Sequence, residues 1–112
     1  MDIAVRTQSG VKVFKLTGRL NLGDSVERMR QTFDDSVAAG DSRFLIDLEE
    51  ISMLDSSGIG LLVRCLTAAK QSGGTLKLLK PSKFSVQTLK MTGLLKLFEI
   101  FDDSEVAIAS FG

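Results

Sequence analysis

The sequence predicts an α/β fold: a mostly parallel sheet of about five strands, with an antiparallel hairpin at its N-terminal end and about four covering helices. Apolar runs rich in β-forming residues alternate along the chain with segments of helical periodicity. The first two apolar runs are separated only by the turn signal TQSG (7–10), which predicts a hairpin. The predicted order of elements is therefore β β α β α β α β α.

The N-terminal half of the chain contains a hairpin, a helix and a buried strand. Its predicted strands are residues 3–7, 11–17 and 44–48. Phe14 breaks the strict alternation of apolar and polar residues in the second strand. The segment GRLNLGD (18–24) is predicted as a loop, and it leads to a helix that Asp24 or Ser25 caps and Gly40 ends.

The C-terminal half alternates helices with strands. The segment EEIS (49–52) is predicted as a turn before a helix that is apolar almost all round from Ile59 to Ala69 and ends at QSGG (71–74). The remaining elements are predicted as strands at 75–79 and 97–101, a helix at 81–93 and a last helix beginning in DDSEVAIASF (102–111). The chain has no linker or repeat, so residues 1–112 are predicted to form one domain.

Composition excludes several classes of function. Fourteen basic and fourteen acidic residues cancel, and there is no Trp or Tyr, so we expect no direct binding of nucleic acid. The absence of His excludes catalytic triads and His-based metal sites, so we expect no catalytic residue, metal or cofactor, and no enzyme activity. Cys65 lies in an apolar helical pattern and is predicted as a buried thiol. The chain lacks a signal-like start and a run long enough to span a bilayer, which predicts a cytoplasmic protein without membrane contact.

The segment MLDSSGIG (53–60) is the candidate functional motif. It is not the GxSxG turn of a serine hydrolase, and GIGLLV supplies only two of the three glycines of a dinucleotide loop. It fits a junction between a strand and a helix, with Ser56 or Ser57 as the N-cap. A structural cap alone explains the pattern. A serine at a helix N-terminus can also accept a phosphate, because the helix dipole and free N–H groups favour the added negative charge.

The chain resembles the STAS domain, and specifically bacterial anti-sigma factor antagonists. The segments that carry this resemblance are FKLTGRLNLGDS (14–25), IDLEEISMLDSSGIGLLVRCLTAAKQSGGTLKLL (46–79) and MTGLLKLFEIF (91–101). Together they extend along nearly the whole chain. The motif D-S-S-G-x-G in this context is specific to the family.

The resemblance implies partner switching. Such antagonists bind a serine-kinase anti-sigma factor, which then releases its sigma factor. The kinase phosphorylates the antagonist and so ends the interaction, and a serine phosphatase reverses this. The phosphorylated residue of the family corresponds to Ser56, beside Asp55, Ser57 and Gly58 as neighbouring contacts. Many family members have an acid where this chain has Asn21, which is predicted to alter phosphorylation or kinase choice.

An alternative is a STAS scaffold that is not phosphorylated, acting as an accessory subunit of a signalling or lipid-transport complex. The same fold serves such uses, so fold alone does not decide. The retained serine pair favours the switch. The sequence is compatible with a monomer or a weak dimer.

Overall fold

A computed structural model of the chain describes residues 1–21 and 23–112. Its strands are β1 (Asp2–Gln8), β2 (Val11–Leu20), β3 (Arg43–Leu54), β4 (Thr75–Leu79) and β5 (Ile100–Phe101). Its helices are α1 (Asp24–Ala38), α2 (Ser56–Gln71), α3 (Lys83–Met91) and α4 (Ser104–Ala109), with a short 3₁₀ turn at Leu95–Leu97. The predicted order of elements is confirmed.

The five strands form one mixed sheet in the order β1-β2-β3-β4-β5. β1 and β2 pair antiparallel, and each later pair is parallel. The hairpin predicted from TQSG is confirmed: Ser9 and Gly10, between the strands, both have positive φ values, of 52° and 78°. A turn of that hand matches the twist of the paired strands.

The interrupted alternation in β2 reflects a sheet that is covered on both faces. Val11 and Val13 belong to a small apolar cluster with Ala107 and Ile108 of α4. Phe14 and Leu16 lie on the opposite side of the strand, in the main core to which α1, α2 and α3 contribute. Because both faces are buried, apolar side chains are required on both sides of β2.

Two segments that were predicted as a loop and a turn lie wholly or partly in the sheet instead. β2 continues to Leu20 and so includes the first three residues of the predicted loop 18–24. β3 continues to Leu54 and so includes all of the predicted turn 49–52. Leu22, within the first segment, lies outside the described residues. In this extension β2 and β3 pair only with each other. Residues 17–20 of β2 pair with residues 50–54 of β3, whereas β4 pairs with β3 only as far as Asp47. Local turn composition does not reveal this pairing between distant segments.

The end of the chain also departs from the prediction. The predicted strand at 97–101 is reduced to the two residues of β5, and Leu95–Leu97 form the 3₁₀ turn. Leu94 and Leu95 pack against the main core, in the segment that connects α3 to β5. The cap predicted for α1 is wrong as well, because the N-cap is Gly23 and α1 begins at Asp24. The side chain of Ser25 instead bonds Asn21.

Candidate functional site

The paired extension of β2 and β3 positions the candidate site. Leu20 and Leu54 are register partners at the end of this extension. The backbone N–H of Asp55 donates to the carbonyl oxygen of Leu20 at 3.4 Å, so the chain following β2 lies beside the start of α2. The structure therefore brings Asn21 and the D-S-S-G motif together at the C-terminal ends of β2 and β3.

Asp55 is the N-cap of α2, in place of the predicted Ser56 or Ser57. Its backbone is extended, and its Oδ1 accepts the N–H of Gly58 at 2.9 Å. Its own carbonyl oxygen accepts the N–H of Ile59 at 3.0 Å, the first turn of the helix. An aspartate caps a helix as well as a serine does, and its charge adds a favourable interaction with the helix dipole.

The two serines differ in access to solvent. Ser56 is the first residue of α2 and is exposed, whereas Ser57 is half-buried. Over residues 1–21 and 23–112, neither hydroxyl has a hydrogen-bond partner. Ser56 is thus at the surface, and its hydroxyl is not among the groups that hold the helix end.

The two glycines of the motif have different surroundings. Gly58 is buried. A Cβ atom there would collide with the carbonyl oxygen of Leu20 and lie 2.8 Å from Cδ1 of Leu54. A Cβ at Gly60 would meet nothing within 4 Å. Gly58 therefore permits the close approach of α2 to the end of β2, whereas packing inside the chain does not explain Gly60.

Asn21 is held by Ser25 through the backbone. The Asn21 N–H donates to Oγ of Ser25 at 3.1 Å, and that hydroxyl donates to the Asn21 carbonyl oxygen at 2.9 Å. The Asn21 side-chain nitrogen lies 3.9 Å from the sulfur of Met53. Met53, the first residue of the segment MLDSSGIG, is 45% exposed, and no role was predicted for it from the sequence. Its residue type and its place in the motif could have indicated a contact residue, because methionine is enriched at protein interfaces.

The described residues outside the motif provide neither a metal site nor a reactive thiol. Within the described part of the chain, no group of three or more His, Cys, Asp or Glu residues could hold a metal ion. Burial raises the pKa of the Cys65 thiol to about 12, with a smaller contribution from Asp34, so the thiol stays neutral. No described helix is long and apolar enough to span a bilayer.

Comparison with known proteins gives several relatives that are named as anti-sigma factor antagonists. The anti-sigma-B factor antagonist of Staphylococcus aureus (strain NCTC 8325 / PS 47) is 27% identical over 106 residues, covering 95% of this chain and 97% of the relative. The anti-sigma F factor antagonist of Paenibacillus polymyxa is 24% identical over 109 residues, covering 96% and 92%.

The solved structures of SpoIIAA have the same fold. The anti-sigma factor antagonist SpoIIAA in its unphosphorylated form aligns with a TM-score of 0.84 at 23% identity, covering 97% of this chain and 95% of the other. The Bacillus cell fate determinant SpoIIAA in the phosphorylated form aligns with a TM-score of 0.77 at 23% identity, covering 97% and 98%.

The predicted resemblance is confirmed by a family model. The model described as the STAS domain matches residues 2–107, a range that includes the whole sheet and the candidate site. This chain belongs to the STAS-domain family.

Proposed function

We propose that the chain is an anti-sigma factor antagonist that acts by partner switching. In its unphosphorylated form it binds a serine-kinase anti-sigma factor, which releases its sigma factor. Phosphorylation of Ser56 ends the interaction, and a serine phosphatase restores it. In this proposal residues 1–112 act as one cytoplasmic STAS domain that regulates its partners without enzyme activity of its own and without contacting nucleic acid or membrane.

The observation that carries the proposal is the position of Ser56. It is the exposed first residue of α2, and its hydroxyl makes no hydrogen bond to the described residues. Asp55 already supplies the cap of the helix. A kinase can therefore modify Ser56 without removing a bond on which the fold depends. The phosphorylated form of the structural relative SpoIIAA supports the same kind of modification here.

Electrostatics explains how the phosphate would change binding. A phosphoserine adds between one and two negative charges. The N-terminus of α2 favours this charge, while the carboxylate of Asp55 beside it does not. The net result is a folded domain whose contact surface has become strongly acidic, and an acidic partner surface would be repelled.

The surrounding residues have distinct proposed roles. Asp55 holds the helix end and keeps the surface acidic before phosphorylation. Ser57 lies next to the phosphosite, and Gly58 acts by letting α2 approach β2. Asn21 contributes a neutral amide where many family members have an acid. The roles of these four residues in partner contact stay predictions.

Phosphorylation of defined variants tests the proposal. The wild-type chain, Ser56→Ala and the matched control Ser57→Ala are incubated with ATP and a serine-kinase anti-sigma factor from the same genome, and the products are mapped by mass spectrometry. We expect one phosphate on the wild type and on Ser57→Ala, and none on Ser56→Ala. Phosphate on Ser56→Ala at the wild-type rate would contradict the assignment of the site.

A binding measurement tests the electrostatic step separately. Ser56→Asp introduces a negative charge at the phosphosite, and we expect it to bind the kinase more weakly than Ser56→Ala does. Equal affinities of the two variants would contradict the proposed repulsion. If the wild type is neither bound nor phosphorylated by any such kinase, partner switching is wrong and the scaffold alternative replaces it.

A further inference from the structure

The edge of the sheet formed by β1 lacks a neighbouring strand. β1 (Asp2–Gln8) is the first strand in the sheet order, and within the described residues its only strand partner is β2. Six of its seven residues are exposed. An edge strand presents a row of free backbone N–H and C=O groups, and proteins usually protect such an edge with Pro, charged side chains (especially Lys) or a bulge. β1 contains neither Pro nor Lys, and its pairing with β2 is regular over all seven residues. Its two charged residues, Asp2 and Arg6, have opposite signs, so they do not exclude a second copy of the same strand.

Several side chains of β1 are exposed or lack a polar partner. Val5 is 46% exposed, one of the few large apolar residues that are. It lies on the same side of the strand as Ile3, which packs against the edge of the main core. Asp2 and Arg6 lie together on the other side of the strand. In the part of the chain that the structure describes, neither forms an ion pair or a side-chain hydrogen bond.

We propose that β1 pairs antiparallel with β1 of a second copy of this chain, centred on Ala4, so that two sheets join into one. In this register Asp2 lies opposite Arg6 of the second copy, and Ile3 lies opposite Val5 of the second copy. Because the two-fold axis repeats each contact, two pairs of opposite charge and two apolar pairs form at once. Cross-strand pairs of both kinds stabilise antiparallel strands.

This interface does not require the proposed phosphosite. Antiparallel pairing of the two β1 strands also makes the two β2 strands antiparallel. The two Ser56 sites, which lie beyond the ends of β2 and β3, therefore point in opposite directions. Neither is buried by the pairing, and the dimer would present two sites for partner proteins. The inference is thus independent of the proposed function.

A charge exchange tests the register. In a dimer of Arg6→Asp, Asp2 of each copy faces the new aspartate of the other copy. In a dimer of Asp2→Arg, Arg6 of each copy faces the new arginine of the other copy. Each variant alone should dissociate at a concentration on the order of tenfold higher than the wild type. In an equal mixture of the two variants, opposite charges face each other again, and a mixed dimer should form at least as tightly as the wild-type dimer.

Sedimentation equilibrium over a concentration series measures these dissociation constants. Both positions are exposed on β1, and circular dichroism checks that each variant remains folded. The double variant, with both exchanges in one chain, should dimerise like the wild type. A wild-type chain that stays monomeric throughout the series would overturn the proposal. So would a mixture that associates no more strongly than either variant alone. Phosphorylation of Ser56 should be the same in Arg6→Asp as in the wild type, so the failure of one proposal is distinguishable from that of the other.

Discussion

The two glycines of the D-S-S-G-I-G segment predict opposite effects of the same substitution. Gly58→Ala adds a methyl group that would collide with the carbonyl oxygen of Leu20 and lie 2.8 Å from Cδ1 of Leu54. The Leu20 carbonyl is backbone and also accepts the N–H of Asp55, so it cannot move aside as a flexible side chain would. Overpacking of this kind costs about 1–3 kcal/mol.

The gain in helix propensity offsets part of this cost. Replacing glycine by alanine inside a helix stabilises it by about 1 kcal/mol. Because the collision is with backbone, the overpacking cost should lie in the upper part of its range, at about 2–3 kcal/mol. We therefore expect Gly58→Ala to lower the free energy of unfolding by about 1–2 kcal/mol. At Gly60 the new methyl group meets nothing within 4 Å. Gly60→Ala should consequently raise the free energy of unfolding by about 0.5–1 kcal/mol.

Urea denaturation of the wild type and both variants measures the difference directly. The variants differ only in which glycine of one helix is changed, so each serves as the control for the other. Thermal midpoints should separate in the same order, by about 4 °C for each kcal/mol. A Gly58→Ala protein as stable as Gly60→Ala would refute the close approach of α2 to the end of β2.

Three further predictions concern groups whose surroundings are defined by the structure. Asp55→Ala removes the acceptor of the Gly58 N–H and should cost about 1 kcal/mol in urea denaturation, whereas Asp55→Asn, which retains an acceptor oxygen, should cost less. The Cys65 thiol has its pKa raised by burial from 9.0 to about 12, so the native state holds its proton while the unfolded state loses it. The free energy of unfolding should therefore fall as pH rises from 9.0 towards 12, and the fall should be smaller in Cys65→Ala; equal slopes would contradict the burial. Lys77 donates to the carbonyl oxygen of Ser110 at 3.1 Å and to its hydroxyl at 2.9 Å. Lys77→Met should remove both bonds at the C-terminal end of α4 and speed hydrogen exchange in α4, with no effect expected in α2.

The predictable part of the fold is the part that depends on local patterns. The order of strands and helices, the hairpin turn and the burial of Cys65 all follow from apolar periodicity and turn residues, and the structure confirms them. The extension of β2 and β3 was missed because turn-like residues such as Gly18 and Asn21 hide a pairing between segments that are distant in the chain. Long-range pairing of this kind overrides local propensity.

At the candidate site, too, local sequence patterns do not predict every feature, and the N-cap of α2 is the example. The motif and its place at a helix start could be read from the sequence, but the identity of the cap could not. Asp, Ser and Asn are about equally good N-caps, so propensity does not separate Asp55, which was not predicted as the cap, from Ser56 and Ser57. The backbone of Asp55 decides between them, because it is extended while Ser56 already has its place in the helix. That backbone is set by the end of β3, and therefore by its pairing with β2.

The assignment of the cap to Asp55 changes what a modification at Ser56 can do. If Ser56 were the cap, kinase and helix would compete for one hydroxyl, and each round of phosphorylation would disturb the start of α2. With the cap on Asp55, the bond to the Gly58 N–H does not involve the Ser56 hydroxyl, so a phosphate on Ser56 would not remove it. The fold and the switch then depend on adjacent but different side chains. This separation favours a regulator that must remain folded in both states, because the added charge alters what the surface can bind while the domain beneath it stays intact.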